Sequence, residues 1–68
     1  MRTVLEELEY LLARDDTAAG DLFVANQPLL RATLGAAAIP LARQMTSFDY
    51  PAALATVRDI IGQMAEYS

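Results

Sequence analysis

The sequence contains no cysteine, no histidine, no tryptophan and no lysine. Without cysteine the chain forms no disulfide bond, and without cysteine and histidine it cannot assemble the usual zinc sites. A serine nucleophile needs a base such as histidine or lysine, so neither an ordinary catalytic triad nor its amine-based variant can form. We therefore expect no enzymatic activity, no bound metal and no cofactor.

Positive charge and long apolar runs are also scarce. The chain has nine acidic residues and five arginines, which gives a net charge of −4. An acidic surface of this kind cannot neutralise a run of phosphates, so nucleic-acid binding is disfavoured. The most apolar stretch, residues 34–42, is interrupted by Gly35 and Pro40 and cannot span a membrane. No signal-peptide pattern is visible at the N-terminus. The sequence thus predicts a cytoplasmic domain with no membrane insertion.

The acidic residues do not have the spacing of a known type of site. Asp15, Asp16 and Asp21 form the densest group, but they lack the alternating oxygen ligands, the glycine and the distal glutamate of a calcium loop. Helix capping accounts for Asp15 and Asp16 more simply. Acyl-carrier domains are also small acidic helical bundles, but they need a serine within Asp-Ser-Leu, and this tripeptide is absent. We predict neither a cation site nor a carrier arm.

What the sequence has in abundance is residues that favour helices. Apolar residues make up 54% of the chain, and many of them are alanine, which favours helix but buries little surface. Apolar positions recur at helical spacing, and no alternating run suggests a strand. We predict an all-α fold, a small helical bundle of three to four helices at about residues 3–14, 17–26, 28–46 and 49–66.

Local signals place the helix ends. Thr3 and Glu6 have the spacing of a capping box. Residues 26–28 (Asn-Gln-Pro) should close the second helix and open the third, since proline suits a first turn. A turn at residues 46–49 precedes Pro51, which suits the first turn of the last helix. Leu54 lies centrally on the apolar stripe that we expect this last helix to bury.

The third segment should be kinked near Pro40. Proline removes a backbone donor and disfavours helical geometry in the residue before it, so we expect a kink between Gly35 and Leu41 or a full break into two helices. The third and fourth segments each hold about 18 residues, or about 27 Å of helix. Joined by a short turn, these last two should form an antiparallel hairpin against which the shorter helices pack.

The third segment is apolar on two adjoining sides. One stripe consists of Leu30, Leu34, Ala37, Leu41 and Met45, and the other of Leu29, Ala32, Ala36 and Ile39. The bundle could bury both stripes, or part of this surface could remain outside as a dimer or partner interface. As partner-contact residues we predict Leu29, Ile39, Arg43 and Met45.

Three stretches carry a resemblance to a known family. Residues 11–22 (LLARDDTAAGDL), 29–35 (LLRATLG) and 48–54 (FDYPAAL) resemble a C-terminal helical segment of bacterial hybrid sensor histidine kinases. In those proteins this segment follows receiver domains, beside or in place of a histidine phosphotransfer domain. Phosphotransfer domains relay phosphate through an exposed histidine, and this chain has none. The resemblance therefore assigns no phosphorelay residue to any position here.

The resemblance implies an accessory module of a signalling protein. Such a module would dock a receiver domain, dimerise, or stabilise neighbouring domains. We expect residues 1–68 to be a single helical domain, a fragment of a larger signalling protein. The resulting hypothesis is a non-catalytic docking module of a bacterial two-component signalling protein, with a receiver or neighbouring signalling domain as partner. The alternative is a structural element that binds a second copy of itself as a homodimer.

Overall fold

The computed structural model describes the backbone of residues 2–66 and the side chains of residues 2–64. Four α-helices follow one another: α1 (Arg2–Ala13), α2 (Ala18–Leu34), α3 (Ala38–Thr46) and α4 (Tyr50–Glu66). A 3₁₀ turn, Gly35–Ala37, connects α2 directly to α3. Because α2 and α3 are contiguous through this turn, the four helices form three helical segments, residues 2–13, 18–46 and 50–66. The described residues contain no strand. The predicted all-α bundle is confirmed.

The four helices enclose one core. α1 packs against α4 and α2, and α3 packs against the same two helices, so each helix has two close neighbours. Only apolar side chains are buried within residues 2–64. The largest of the fully buried side chains are Leu5, Leu8, Leu30, Leu41 and Val57. Among the described helices, none is both long and apolar enough to cross a membrane.

The predicted apolar stripe of α1 is confirmed, but its predicted cap is wrong. Leu5, Leu8 and Leu12 are buried, one helical turn apart. α1 already includes Arg2, so Thr3 lies inside the helix and cannot be its N-cap. Instead of closing a capping box, the carboxylate of Glu6 forms an ion pair with Arg2 Nε over 3.0 Å.

The predicted boundary at residues 26–28 is also wrong, because α2 continues through Pro28 to Leu34. Proline has no N–H to donate to the preceding turn, which weakens a helix interior. Phe23 and Leu30 lie on either side of this point and are both buried. Burial of a large apolar side chain contributes roughly 1.5 to 3 kcal/mol, so one continuous buried face offsets the missing hydrogen bond.

The interruption expected between Gly35 and Leu41 occurs as a full break, and Gly35 causes it. Gly35 has φ +58° and ψ −128°, a conformation that is open essentially to glycine alone. Pro40 is the third residue of α3. The N–H groups of a helix's first turn have no acceptor within the helix, so proline at this position breaks nothing.

α3 and α4 form the predicted pair of neighbouring helices joined by a short turn, but α3 holds only nine residues. The two helices are tied by a hydrogen bond in which the hydroxyl of Thr56 donates to Gln44 Oε1 over 2.6 Å. Asp49 and Pro51 begin α4 as predicted: the Asp49 carbonyl accepts from the N–H of Ala53. The buried face of α4 includes Tyr50, Ala53, Val57 and Ile60, and Leu54, which we expected at the centre of this face, is only half-buried beside it.

Candidate interaction surface

The most distinctive surface of the molecule lies where α2 and α3 run beside each other. We call this surface the seam, and define it by the residues that line its two grooves, most of which lie in α2, α3 and the turns flanking α3. Gln27 of α2 lines both grooves, so they form one continuous surface. Any ligand that covers the middle of the seam therefore contacts both grooves at once.

The first groove, of about 230 Å³, lies at the Gly35 end of the seam. Its floor is made of small residues, Gly35, Ala38 and Ala42, because the break at Gly35 brings α3 back beside the last turns of α2. Two guanidinium groups line it, Arg31 from α2 and Arg43 from α3. This end of the seam is consequently lined by small residues and positively charged.

The second groove, of about 430 Å³, lies at the opposite end, beside the turn that joins α3 to α4. Buried side chains form part of its lining, Phe23, Met45 and Tyr50 among them. Gly20 also lines it, and Asp21 contributes its single acidic group. This end of the seam is larger, more apolar and negatively charged.

Large apolar side chains stand exposed along both grooves. Ile39 lines the first groove and is 56% exposed, while Val24 and Phe48 line the second and are 67% and 78% exposed. Apolar side chains placed singly on a surface need no explanation, whereas a group of them beside grooves is typical of interaction sites. Their placement along one seam makes it the leading candidate for a binding surface.

Phe48 holds an unusual backbone conformation. Its N–H donates to the carbonyl of Met45 over 3.1 Å, and the N–H of Asp49 donates to that of Gln44 over 2.9 Å, the two bonds of a Schellman motif. The residue at this position takes a positive φ, here +57°, and is usually glycine. A side chain with a β-carbon destabilises this conformation by roughly 1 to 2 kcal/mol.

Asp15 provides a comparison, because it ends α1 with the same motif. Its φ is +54°, and the same pair of backbone bonds joins residues 15 and 16 to Leu12 and Leu11, each over 3.0 Å. Aspartate tolerates a positive φ better than most residues. Phe48 is therefore the one large apolar side chain that the described chain holds in this conformation, and it is mostly exposed to water.

The arginines divide into two groups. Three have an intramolecular partner: Arg2 with Glu6, Arg58 with Glu9, and Arg14 with the ring and hydroxyl of Tyr10. Arg31 and Arg43 have no ion pair within residues 2–64, and these are the two that line the first groove. Guanidinium groups without a partner on a shared groove favour a ligand that carries carboxylates.

The structure separates the four predicted contact residues. Ile39 and Arg43 lie one turn apart on α3 and both line the first groove. Met45 is only 6% exposed and belongs to the core, where it also lines the second groove. Leu29 is 51% exposed but lies about 200° around α2 from Arg31, away from both grooves. The predicted set is thus partly assembled by the fold.

Val24 and Phe48 are seam residues that sequence reasoning missed. Val24 lies within the second predicted helix, and only the return of α3 beside α2 places a groove next to it. Phe48 lies in the turn predicted at residues 46–49. A large aromatic residue in a turn of three residues without glycine was the available signal, because so short a turn offers little cover for it.

Of the two aspartates predicted to cap helices, Asp16 bonds the start of α2, whereas Asp15 lies in the turn that ends α1. Asp16 Oδ1 accepts a hydrogen bond from the backbone N–H of Ala18, the first residue of α2, over 2.9 Å. Within the part of the chain that is described, no three acidic side chains come together as a metal site would require.

No family model, curated protein or solved structure matches this chain.

Proposed function

We propose that this chain is a non-catalytic docking module of a bacterial two-component signalling protein, and that it binds its partner through the seam. The observation that carries the proposal is the alignment of Val24, Ile39 and Phe48 along two adjoining grooves. Exposed apolar side chains next to a groove contribute to binding because a partner removes them from water. The seam contains the groups that an interface needs and no activated nucleophile.

The kind of partner follows from the resemblance of residues 11–22, 29–35 and 48–54 to hybrid sensor kinases. A receiver domain, or another domain next to this one in the same protein, is the proposed partner. Arg31 and Arg43 would face carboxylates of that domain, and Ile39 would lie at the centre of the contact. The cytoplasmic location expected from the sequence is part of the same proposal.

A titration with a purified receiver domain from the same signalling system tests this docking. The amide resonances of Val24, Ile39 and Phe48 should shift as the receiver is added, while those of Leu29 should not. The Ile39→Ala variant should weaken the interaction, and Leu29→Ala, which removes an equally exposed side chain away from the seam, is its matched control. A receiver that leaves the seam resonances unchanged would refute the docking.

Self-association is the second candidate function. The observation that favours it is the difference between the two ends of the seam, one carrying Arg31 and Arg43 and the other Asp21. Light scattering over a wide concentration range distinguishes the two functions, because a docking module without its partner remains a monomer. A mass that doubles with concentration would support self-association.

A further inference from the structure

We infer that the ligand of the seam is a second copy of this chain, related to the first by a two-fold axis that passes near Gln27. The inference rests on the second candidate function, self-association through the seam, and adds the geometry of the dimer. Such an axis lays the two seams against each other in opposite directions. The first groove of each copy then faces the second groove of its partner, and the contact forms twice.

The charges of the seam are complementary under this operation. Asp21 and Arg31 lie ten positions apart on α2, or about 15 Å, with Gln27 between them. Reversal of one seam on the other therefore brings Asp21 of each copy towards Arg31 and Arg43 of its partner. A parallel arrangement would instead bring like charges together, so the charge pattern selects the antiparallel one.

The shapes are complementary under the same operation. Phe48 projects from one end of the seam, and the floor of the groove at the other end is made of small residues, Gly35 and Ala38 among them. Reversal places Phe48 of one copy at this small-residue groove, beside two guanidinium groups that favour an aromatic face. Ile39 of each copy is likewise brought to the larger groove, next to Gly20.

Two residues of the second groove are locally unfavourable choices. Gly20 occupies a helical position where an added β-carbon would meet nothing within 4 Å, so alanine would fit and favour the helix more. Phe48 occupies a position where glycine would be favoured. Neither position holds the residue that its backbone conformation favours, and both line the same groove. Departures of this kind are expected at functional sites.

The size of the molecule requires the whole seam to take part. A stable interface buries about 800 Å² on each partner, whereas the accessible surface of the molecule is 4283 Å² and its dimensions are 30 × 21 × 17 Å. About a fifth of the surface must then be covered, which amounts to most of one side. Contacts at both ends of the seam are consequently needed, and variants at either end should weaken the dimer.

Exchange of the charges at the two ends of the seam provides the first test. The dimer dissociation constant is measured by sedimentation equilibrium from about 10 μM to 1 mM, a range that covers weak and moderate dimers. Asp21→Arg and Arg31→Glu should each weaken the dimer at least about tenfold. An equimolar mixture of these two variants should restore dimerisation, because each heterodimer again joins opposite charges at both ends. Asp59→Arg, on α4, changes the net charge equally and should leave the constant unchanged.

Local backbone variants provide the second test. Phe48→Gly should weaken the dimer while making the monomer more stable, and Asp15→Gly, at the same position of the other Schellman motif, should leave the dimer unchanged. Gly20→Ala should weaken the dimer, and its control is Gly62→Ala, where an added β-carbon also meets nothing within 4 Å. The opposite signs for stability and association exclude unfolding as the cause.

The outcomes separate this inference from the proposed function. A monomer at 1 mM overturns the inference, and so does a dimer that Asp21→Arg, Arg31→Glu and Phe48→Gly all leave unaffected. If a receiver domain still shifts the seam resonances of that monomer, the docking proposal stands alone. If neither a receiver nor a second copy affects the seam, both are refuted. A dimer that the mixed charge variants rescue confirms the antiparallel arrangement.

Discussion

Leu29 and Leu30 are neighbours in the sequence, yet Leu30 is fully buried and Leu29 is 51% exposed. α2 directs successive side chains about 100° apart, so Leu30 enters the core while Leu29 lies on the outer surface. The two leucines are chemically identical and share one helix. They therefore form a matched pair in which burial is the main variable.

Replacement of each leucine by alanine should have very different effects on stability. Leu30→Ala should lower the free energy of unfolding by roughly 2 to 5 kcal/mol, because it leaves a cavity in a packed core. Leu29→Ala should change it by less than about 1 kcal/mol, as is usual for surface substitutions. Urea denaturation followed by circular dichroism measures both. Equal losses would mean that the rotation of α2 is wrong.

Replacement of Phe48 by glycine should stabilise the fold. The side chain is mostly exposed, so little burial is lost, and the positive φ is relieved at a position that glycine prefers. The expected gain is about 1 kcal/mol, seen as a higher denaturation midpoint with an unchanged slope. Asp15→Gly should give a smaller gain, since aspartate tolerates this conformation. A destabilised Phe48→Gly would show that the ring packs against the bundle.

Replacement of Pro28 by alanine should also stabilise the fold. Pro28 is exposed and lies inside α2, where alanine would provide the missing N–H. The gain should be about 1 to 3 kcal/mol, the upper value being the full preference for alanine over proline in a helix interior. Pro51→Ala, at the second position of α4, is the control and should change stability little. If Pro28→Ala and Pro51→Ala changed the stability equally, α2 would not run uninterrupted through Pro28.

The hydrogen bond between Thr56 and Gln44 should contribute measurably to stability. Thr56→Val keeps the side-chain shape but removes the hydroxyl that donates to Gln44 Oε1. We expect a loss of about 1 kcal/mol, because the bond is partly buried and joins α3 to α4. The control is Thr46→Val, since the hydroxyl of Thr46 is exposed and donates only to Ala42 within its own helix. If both variants lost the same stability, the loss would come from placing valine in a helix and not from the hydrogen bond to Gln44.

The parts of the fold that could be predicted are those that depend on local chemistry. The spacing of Leu5, Leu8 and Leu12 specifies a helix and its buried face, and Pro51 after a short turn specifies a helix start. Pro28 misled the prediction because the same residue is compatible with a first turn and with an interior that tertiary packing stabilises. Local sequence does not contain the packing of Phe23 and Leu30 that decides between them.

The candidate surface was predictable only in part, for a related reason. Ile39 and Arg43 share a face of one short helix, and their spacing alone places them together. Helical spacing along residues 28–46 places Leu29 and Ile39 on one predicted stripe, whereas the break at Gly35 turns the chain back and separates the two residues. The seam is formed by α2 and α3 after that reversal, so its residues meet through tertiary structure.

The close packing of α1 against α4 has a consequence for how the chain acquires its fold. Glu9 and Arg58, which join these helices, are 49 positions apart, so their contact closes a long loop whose entropic cost must be met before the contact forms. During synthesis α1 is made well before α4. Until α4 is available α1 can pack only against α2, so the part of the core that α1 shares with α4 forms only after α4 has been made.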